Sequence, residues 1–438
     1  MIAKLLFIYP DTVNSALSNL AVHWFFNAFK ELEPDLLTKE SESGLFFQRD
    51  IRKTPFVFVS LSYGPDIVAF AQILKKNNIP LLKQDRDKGI YPIFICGGIA
   101  ALLNPEPLTL IFDAVFLGEG EEMEKDIINM VSLSTREEVF ELINSFKYAL
   151  TAEKKEALQV TAKENSFFVH SNETLHKLGN CFGNRLIVEM NRGCTSRCKF
   201  CAATFAYKKF RTVDTARLLN FVKRNIADKE GIALMGTSLA DVECFDEILE
   251  ICAASNAELS LSSLKISEIN EKRVALLKKC GVKTVTVAIE SADFKTREKI
   301  LKKVSDDDIF KAIEILNKNK MKTKLYLIAG FPDTDLEKEA KLVLELLDKL
   351  NENRLLCSMT LSVTPLCPKP LTPFESLPFI DKKEYKKYMN TLKKGAVSFG
   401  KKVKIDFFSY NESELDYKTG TLKGKEFIKL IEDSLVRK

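Results

Sequence analysis

Apolar residues in the first third of the chain come in short unbroken runs. AKLLFIY (3–9), FVFVSLS (56–62), PIFICGG (92–98) and DAVFLGEGE (113–121) have strand length and are continuous rather than alternating, as strands covered on both faces are. The segments 16–31, 66–77 and 120–132 carry apolar residues at helical spacing. The pattern predicts a parallel, doubly wound α/β domain of Rossmann-like type over residues 1–133. Such sheets bind ligands at the carboxyl ends of their strands, and here those ends carry Tyr9-Pro10-Asp11, Ser62-Tyr63-Gly64, Gly97-Gly98 and Gly118-Glu119-Gly120. The glycines either admit a ligand close to the backbone or only make tight turns.

Residues 134–183 are charged and helical in pattern, and predict a linker or bridging helix. A second series of strands follows: 185–190, 231–236, 258–264, 284–290, 324–330 and 355–363, separated by helical segments at 240–253, 270–280, 305–319 and 335–350. Six βα units over 184–375 predict a partial (β/α)6 TIM-like barrel that does not fully close, with its chemistry at the C-terminal ends of the strands. The Lys-rich segment 376–438, which includes VKIDFFS (403–409), predicts a small C-terminal cap.

At 438 residues and 46% hydrophobic content the chain can bury a large core. Lys and Arg total 65 against 60 for Asp and Glu, so the net charge of +5 is small and nucleic acid is not indicated. The apolar run at the start meets Pro10 and Asp11 without a small-residue cleavage site, and no apolar segment reaches the roughly 18–20 residues that span a bilayer. The expectation is a soluble, cytoplasmic protein with no membrane partner. Seven of the ten cysteines are scattered singly, which fits a reduced compartment rather than a disulfide scaffold.

The other three stand together in NRGCTSRCKFCAATF (191–205): Cys194, Cys198 and Cys201, just after the first barrel strand. A structural zinc takes four protein ligands. The fourth would have to come from Cys181 or from His23, His170 or His176, the chain's three histidines. Three thiolates by themselves suit a [4Fe-4S] cube with one iron left open. YKKFR (207–211), with Arg197 and Lys199, makes a basic edge nearby, either a solvated face or a seat for an anionic substrate or an electron donor's acidic face. Cys96, Cys252, Cys280 and Cys357 lie in apolar runs and read as core.

The spacing C-x3-C-x2-C, with Phe200 before the last cysteine, resembles the signature of the radical S-adenosylmethionine (SAM) enzymes. The resemblance implies that Cys194, Cys198 and Cys201 bind a [4Fe-4S] cluster, that SAM chelates the open iron, and that its reductive cleavage releases methionine and a 5′-deoxyadenosyl radical. It further implies SAM contacts at the other strand ends. Gly236-Thr237-Ser238 stands where the superfamily often has a glycine pair and a Glu for the methionine amino group, and here the Glu is absent. Ser263, Lys265, Glu290 and Ser291 end the next strands, with Glu290 meeting the ribose and Arg297 or Lys265 the SAM carboxylate. Ile328-Ala329-Gly330 offers backbone groups to adenine. Cys367 after the sixth strand is either a thiol donor or radical quencher in the cavity, or a structural cysteine.

The stretches GGIAALLNPEPL, DAVFLGEGEE, VEMNRGCTSRCKFC, AIESADFKTREKILKK, KLYLIAGFP and TPLCPKPLTPF are similar to a bacterial family of radical SAM proteins with an N-terminal cobalamin-binding-type domain. This likeness implies a cobalamin site at Asp11, Ser62, Gly97, Gly98, Gly118, Glu119 and Gly120. Asp11-Thr12-Val13-Asn14 lacks the cobalt-ligating histidine such domains usually carry, and His23 reads as a packed side chain. Either cobalamin binds without a protein ligand to cobalt, or the domain keeps the fold and has lost the cofactor. The activity implied is reductive use of SAM for methyl or alkyl transfer to an unknown substrate, with flavodoxin or ferredoxin as electron donor. The alternatives are sulfur insertion of the methylthiotransferase kind, or a non-catalytic iron–sulfur sensor or scaffold.

Overall fold

A computed structural model describes residues 5–183, 185–226 and 231–436, so the first two residues of the strand predicted at 3–9 lie outside it. The backbone separates into two units, residues 1–184 with 415–438, and residues 185–414.

In the first unit β1 (Leu5–Tyr9), β2 (Asp35–Thr38), β3 (Phe56–Ser60), β4 (Ile93–Gly97), β5 (Ala114–Phe116) and β6 (Ala149–Leu150) form one sheet in the order β2-β1-β3-β4-β5-β6. The first five strands are parallel and β6 is antiparallel to β5. Alternate residues serve opposite faces. Leu5 and Phe7 join a core cluster with Phe25 and Phe29, whereas Leu6 and Ile8 join another with Phe70 and Leu74. Both faces are covered, which is why the runs are unbroken. The chain reverses its direction of winding between β1 and β3, which opens a crevice at their carboxyl ends. The apolar pattern alone missed β2 and β6, because DLLT and AL are too short to carry a period.

The stretch expected as a linker belongs to this unit. It carries the helix Arg136–Ser145, the edge strand β6, and a return segment in which Val160 donates its N–H to Leu117 O and accepts from Glu119 N. The expected single cap is divided. Lys382–Ala396 and Val403–Phe407 lie in the second unit, while residues 415–436 lie in the first. Phe427, Ile428 and Ile431 form one apolar stripe on the helix Gly424–Val436 and share a cluster with Phe70 and Leu74, so burial of that stripe decides where the segment goes.

His23 is fully buried in the helix Leu20–Ala28, with Nε2 hydrogen-bonded to Leu17 O and Nδ1 accepting from Asn172 N. It is a packing residue with both ring nitrogens used. Burial, reinforced by His176 and His170, pushes its pKa down from 6.5 to about 4. A base with a depressed folded pKa contributes its stability fully above the unfolded value of 6.5 and loses it as pH falls toward 4. The loss amounts to about 3 kcal/mol. Urea titrations from neutral pH down to about 4 are expected to show a steeper fall in stability for the native chain than for His23→Gln. Equal slopes would mean that His23 is not held neutral.

The second unit contains β7 (Leu186–Arg192), β8 (Arg211–Thr212), β9 (Gly231–Gly236), β10 (Glu258–Leu261), β11 (Thr284–Glu290), β12 (Lys322–Ala329), β13 (Met359–Pro365) and β14 (Val403–Phe407). Two four-stranded sheets, β10-β9-β7-β8 and β11-β12-β13-β14, are joined by a parallel bridge between Leu264 and Val287. All pairings are parallel except β7 with β8. Among the described residues nothing pairs β14 back to β7 or β8, so the curved sheet is an open barrel. It extends one parallel strand beyond the six expected, because 403–407 adds to β13 instead of forming a cap.

Candidate functional site

The cysteine loop leaves the carboxyl end of β7 through Gly193, whose φ of 71° and whose hypothetical Cβ, 2.4 Å from Lys209 O, leave no room for a side chain. Its root is anchored by Asn191, whose amide donates to Gly193 O (3.0 Å) and to Thr237 Oγ1 (3.0 Å) at the end of β9. Buried Arg192 makes a bidentate pair with Glu189 at 2.8 and 2.9 Å. Lys199 N donates to Ile300 O (3.1 Å), and the Cys198 thiol lies 3.9 Å from Leu301 O. Cys198 is buried, and Cys194 and Cys201 are half-buried. Burial pushes the Cys198 thiol up to about 11; Lys302 opposes the rise and the neighbouring Cys201, Glu290 and Cys194 add to it. Among the described residues no three His, Cys, Asp or Glu side chains converge on the place of a single metal ion. A four-iron cube asks for something different, one thiolate on each of three irons.

Glu290 ends β11 in the left-handed region (φ 68°), buried, with its carboxylate 3.1 Å from Lys302 Nζ. Burial works against the Lys302 ammonium, but Glu290 and the Cys198 and Cys201 sulfurs in their thiolate form outweigh it and raise its pKa. Lys302 was not singled out in the sequence, where it stands in an ordinary run of lysines. Arg297, expected as a SAM contact, is fully buried and spends its guanidinium on Val304 O, Ser291 O, Ala292 O and Asp306. It is a structural clamp. Ser291 is likewise fully buried, donating to Glu339 Oε1 at 2.7 Å. A guanidinium or hydroxyl this deep is held by its own backbone and side-chain partners.

A second polar group meets the loop at Thr195. Lys265 Nζ meets Thr195 Oγ1 (2.8 Å) and Asp241, while Ser238 Oγ donates to Asp241 Oδ2 (2.7 Å) and Thr195 donates to the same oxygen. Burial tends to raise the Asp241 carboxyl, but its bonds from Lys265, Thr195 and Ser238 win and hold it below the usual aspartate range. Asp241 was not identified from the sequence. It lies in the short 3-10 turn Leu239–Asp241, three residues beyond the place where an acid was sought. Thr237 Oγ1 turns back to Gly193 O, and Gly236 leaves room for the Asn191 amide, so these two support the loop. Ser262 donates to Gly236 O, and Ser263 is exposed. Phe200 packs at 5.7 Å on Phe331 and, with Ile328, lines an apolar cluster of Ile300, Phe331, Leu366 and Phe374. Gly330 (φ 96°) passes close to Ile380.

In the first unit, the crevice at β1 and β3 carries neutral polar groups. The Asn19 amide donates to Tyr9 OH (3.3 Å) and to Ser62 Oγ (3.4 Å). The amides of Ser62 and Tyr63 are already taken by Asp66 Oδ2 at 2.8 and 2.9 Å, and burial pushes that carboxyl up to about 6. Asp11 is paired with Lys39 at 2.5 Å. Gly97 and Gly98 remain half-exposed, although a Cβ on Gly98 would meet Leu61 O. The Gly118-Glu119-Gly120 turn does not offer the expected room. The chain itself fills it: a Cβ on Gly118 would strike Val160, one on Gly120 would strike the Trp24 ring, and buried Glu119 accepts from Ala162 N. Here the glycines serve close packing.

Cys367 is half-buried, its thiol 3.8 Å from Ser413 O, and Cys96, Cys252 and Cys280 are buried as expected. Cys357 is exposed instead, because β13 begins two residues later. On the basic edge Arg197, Lys208 and Lys209 are exposed, whereas Arg211 turns inward.

Residues 14–151 match the family model of the N-terminal region of radical SAM proteins, and residues 188–347 match that of the radical SAM superfamily. An uncharacterised protein of Methanocaldococcus jannaschii is 27% identical over 410 residues, 91% of this chain and 85% of its own length. The radical SAM methyltransferase TsrM from Kitasatospora setae, solved with tryptophan substrate and a SAM analogue, is similar with a TM-score of 0.60 and 14% identity, covering 85% of this chain and 75% of TsrM. The cobalamin-dependent SAM radical enzyme OxsB, solved with aqua-cobalamin and SAM, has a TM-score of 0.57 and 13% identity over 91% of this chain and 56% of OxsB. At these identities the two solved structures establish a shared fold, a cobalamin-binding-type domain followed by a radical SAM barrel.

Proposed function

The chain belongs to the radical SAM superfamily of enzymes, and from that premise we propose that Cys194, Cys198 and Cys201 hold a [4Fe-4S] cluster whose open iron receives SAM. When bound, such a cluster supplies the low-potential electron for reductive cleavage of the sulfonium. The protein's own part is to bind and orient. Lys302, paired with Glu290 next to Cys198, is the cation for the SAM carboxylate, and Glu290 the acceptor for the ribose hydroxyls. Asp241, held ready by Lys265, Thr195 and Ser238, takes the amino group in place of the acid missing from Gly236-Thr237-Ser238. Phe200, Ile328 and Phe331 form an apolar wall that keeps water away and so strengthens these charge contacts. The exposed Arg197, Lys208 and Lys209 suit the acidic face of an electron donor such as flavodoxin or ferredoxin. The observation that carries the reading is the cysteine loop with Lys302 and Glu290 beside Cys198 and with Asp241 and Lys265 bonded to Thr195. Anaerobically reconstituted protein with a strong reductant is expected to convert SAM to 5′-deoxyadenosine and methionine, and a loaded cluster that leaves SAM intact counts against it.

The reaction we propose is methyl or alkyl transfer to an unactivated carbon, with cobalamin as the carrier. Tyr9, Asn19 and Ser62 fit the neutral amide rim of a corrin, and the turns at Ser62 and Gly97-Gly98 leave the β1, β3 and β4 ends accessible. The filled β5 end moves the site away from Gly118-Glu119-Gly120. With no histidine after Asp11 and both nitrogens of His23 occupied, no side chain of this unit is assigned to cobalt. Sulfur insertion lacks support, since the first unit carries only Cys96 and Cys181. Protein incubated anaerobically with hydroxocobalamin and freed of excess corrin is expected to retain about one corrin per chain, whose cobalt(II) resonance, recorded after one-electron chemical reduction, lacks nitrogen splitting from a protein histidine. Loss of the corrin on desalting would remove the carrier from this scheme.

A further inference from the structure

The backbone at Glu290 is unusual. It is not glycine, yet it adopts φ 68° at a register shift in β11, a conformation that costs on the order of 1–3 kcal/mol and persists only where surrounding contacts over-determine it. Those contacts come from two buried side chains. Glu339, in the first turn of the helix Leu336–Glu352, accepts with one oxygen from Ser291 Oγ (2.7 Å) and from Ala292 N (3.1 Å). Arg297 donates to the carbonyls of Ser291 and Ala292 at 2.9 and 3.0 Å. The Ser291-Ala292 segment is therefore gripped at its hydroxyl, its N–H and its carbonyls, immediately after the strained residue. Arg297 also binds Val304 O, and its own carbonyl accepts from Lys302 N (2.8 Å), so the same clamp sets the turn that carries Lys302 to Glu290.

A carboxyl as deeply buried as Glu339 is costly to keep, and burial raises its pKa against the pull of its two donors. The hydrogen bonds it accepts go to the 291–292 segment. We propose that Glu339 is a positioning residue for SAM binding, acting from a different strand–helix unit of the barrel to hold Glu290 in its left-handed conformation with the carboxylate on Lys302 beside the cysteine loop. The proposal rests on the reading that Glu290 and Lys302 contact SAM, and the test separates the two.

Cluster-loaded protein is titrated with SAM, with iron content and thermal midpoint recorded for each variant. Glu339→Leu, which removes the accepting oxygen, is expected to weaken SAM binding about ten-fold with iron retained. Glu339→Gln keeps that oxygen and is expected to restore most of the affinity. In a Glu290→Ala background, which removes the accepting side chain altogether, Glu339→Leu is expected to cause little further loss, because a residue acting through Glu290 has nothing left to position. Equal losses in both backgrounds would reduce Glu339 to a structural role and overturn the proposal, as would unchanged affinity in Glu339→Leu alone. An unchanged affinity in Glu290→Ala by itself would instead overturn the assignment of Glu290 to SAM. If Glu339→Leu loses its iron or fails to fold, Ser291→Ala, which removes one of the two donors to Glu339, takes its place in the same cycle with the same outcomes.

Discussion

Replacement of Cys194, Cys198 and Cys201 together by alanine is expected to take the reconstituted protein from about four irons per chain to nearly none, and from brown to colourless. Iron–thiolate bonds are the cluster's attachment to the protein, and around this loop the described groups offer no substitute. His23 is locked by Leu17 O and Asn172 N, and the loop's polar neighbours Thr195 and Asp241 are engaged with Lys265. The loop itself should survive the change. Asn191, the Arg192 and Glu189 pair, and the Lys199 bond to Ile300 anchor it without using any thiol. Circular dichroism is thus expected to stay native while iron and visible absorbance disappear. Cys181→Ala, outside the loop, should keep its iron. A triple variant with undiminished iron and absorbance would show that the cluster is bound elsewhere.

The second large effect separates two neighbouring cations. Arg297→Gln is expected to destabilise the protein by on the order of 3–5 kcal/mol, because it leaves the buried carbonyls of Ser291, Ala292 and Val304 without their donors. Lys302→Gln should behave differently. Its amide can still donate to Glu290, so the loss of stability is smaller, whereas the charge offered to the SAM carboxylate is gone. Loss of one charge-assisted hydrogen bond is worth about 1.5–3 kcal/mol, roughly a ten- to hundred-fold weaker SAM affinity. Chemical denaturation and SAM titration of both variants, at equal iron loading, check the pair. If Arg297→Gln keeps its full stability, the buried guanidinium is not the clamp described here.

Local chemistry settled a good deal of this molecule in advance. Unbroken apolar runs such as LLFIY and FVFVS require burial on both faces, and that requirement, repeated with intervening helical spacing, is enough to specify doubly wound and barrel-like α/β units. Three cysteines at fixed spacing after a strand likewise put three thiols on one short loop, because their separations along the chain are covalent and need no tertiary contact. Where a residue's role depends on which distant group reaches it, the sequence had no access to the answer. Ser291 at its strand end and Arg297 beyond it are expected from the resemblance to meet SAM, but Val304, Asp306 and Glu339, brought in by folding, engage them. Lys302 and Asp241 look ordinary until the turn after Arg297 and the approach of Lys265 set them beside the cysteine loop. The glycines at 118 and 120 suggested space, but Val160 and Trp24, from segments far along the chain, fill it. The C-terminal segment divides between the two units for the same reason, since an apolar stripe records that a surface must be covered and not by what. Periodicity and spacing are properties of neighbours in the chain, whereas burial, pairing and vacancy are properties of neighbours in space, and those exist only once the fold has formed.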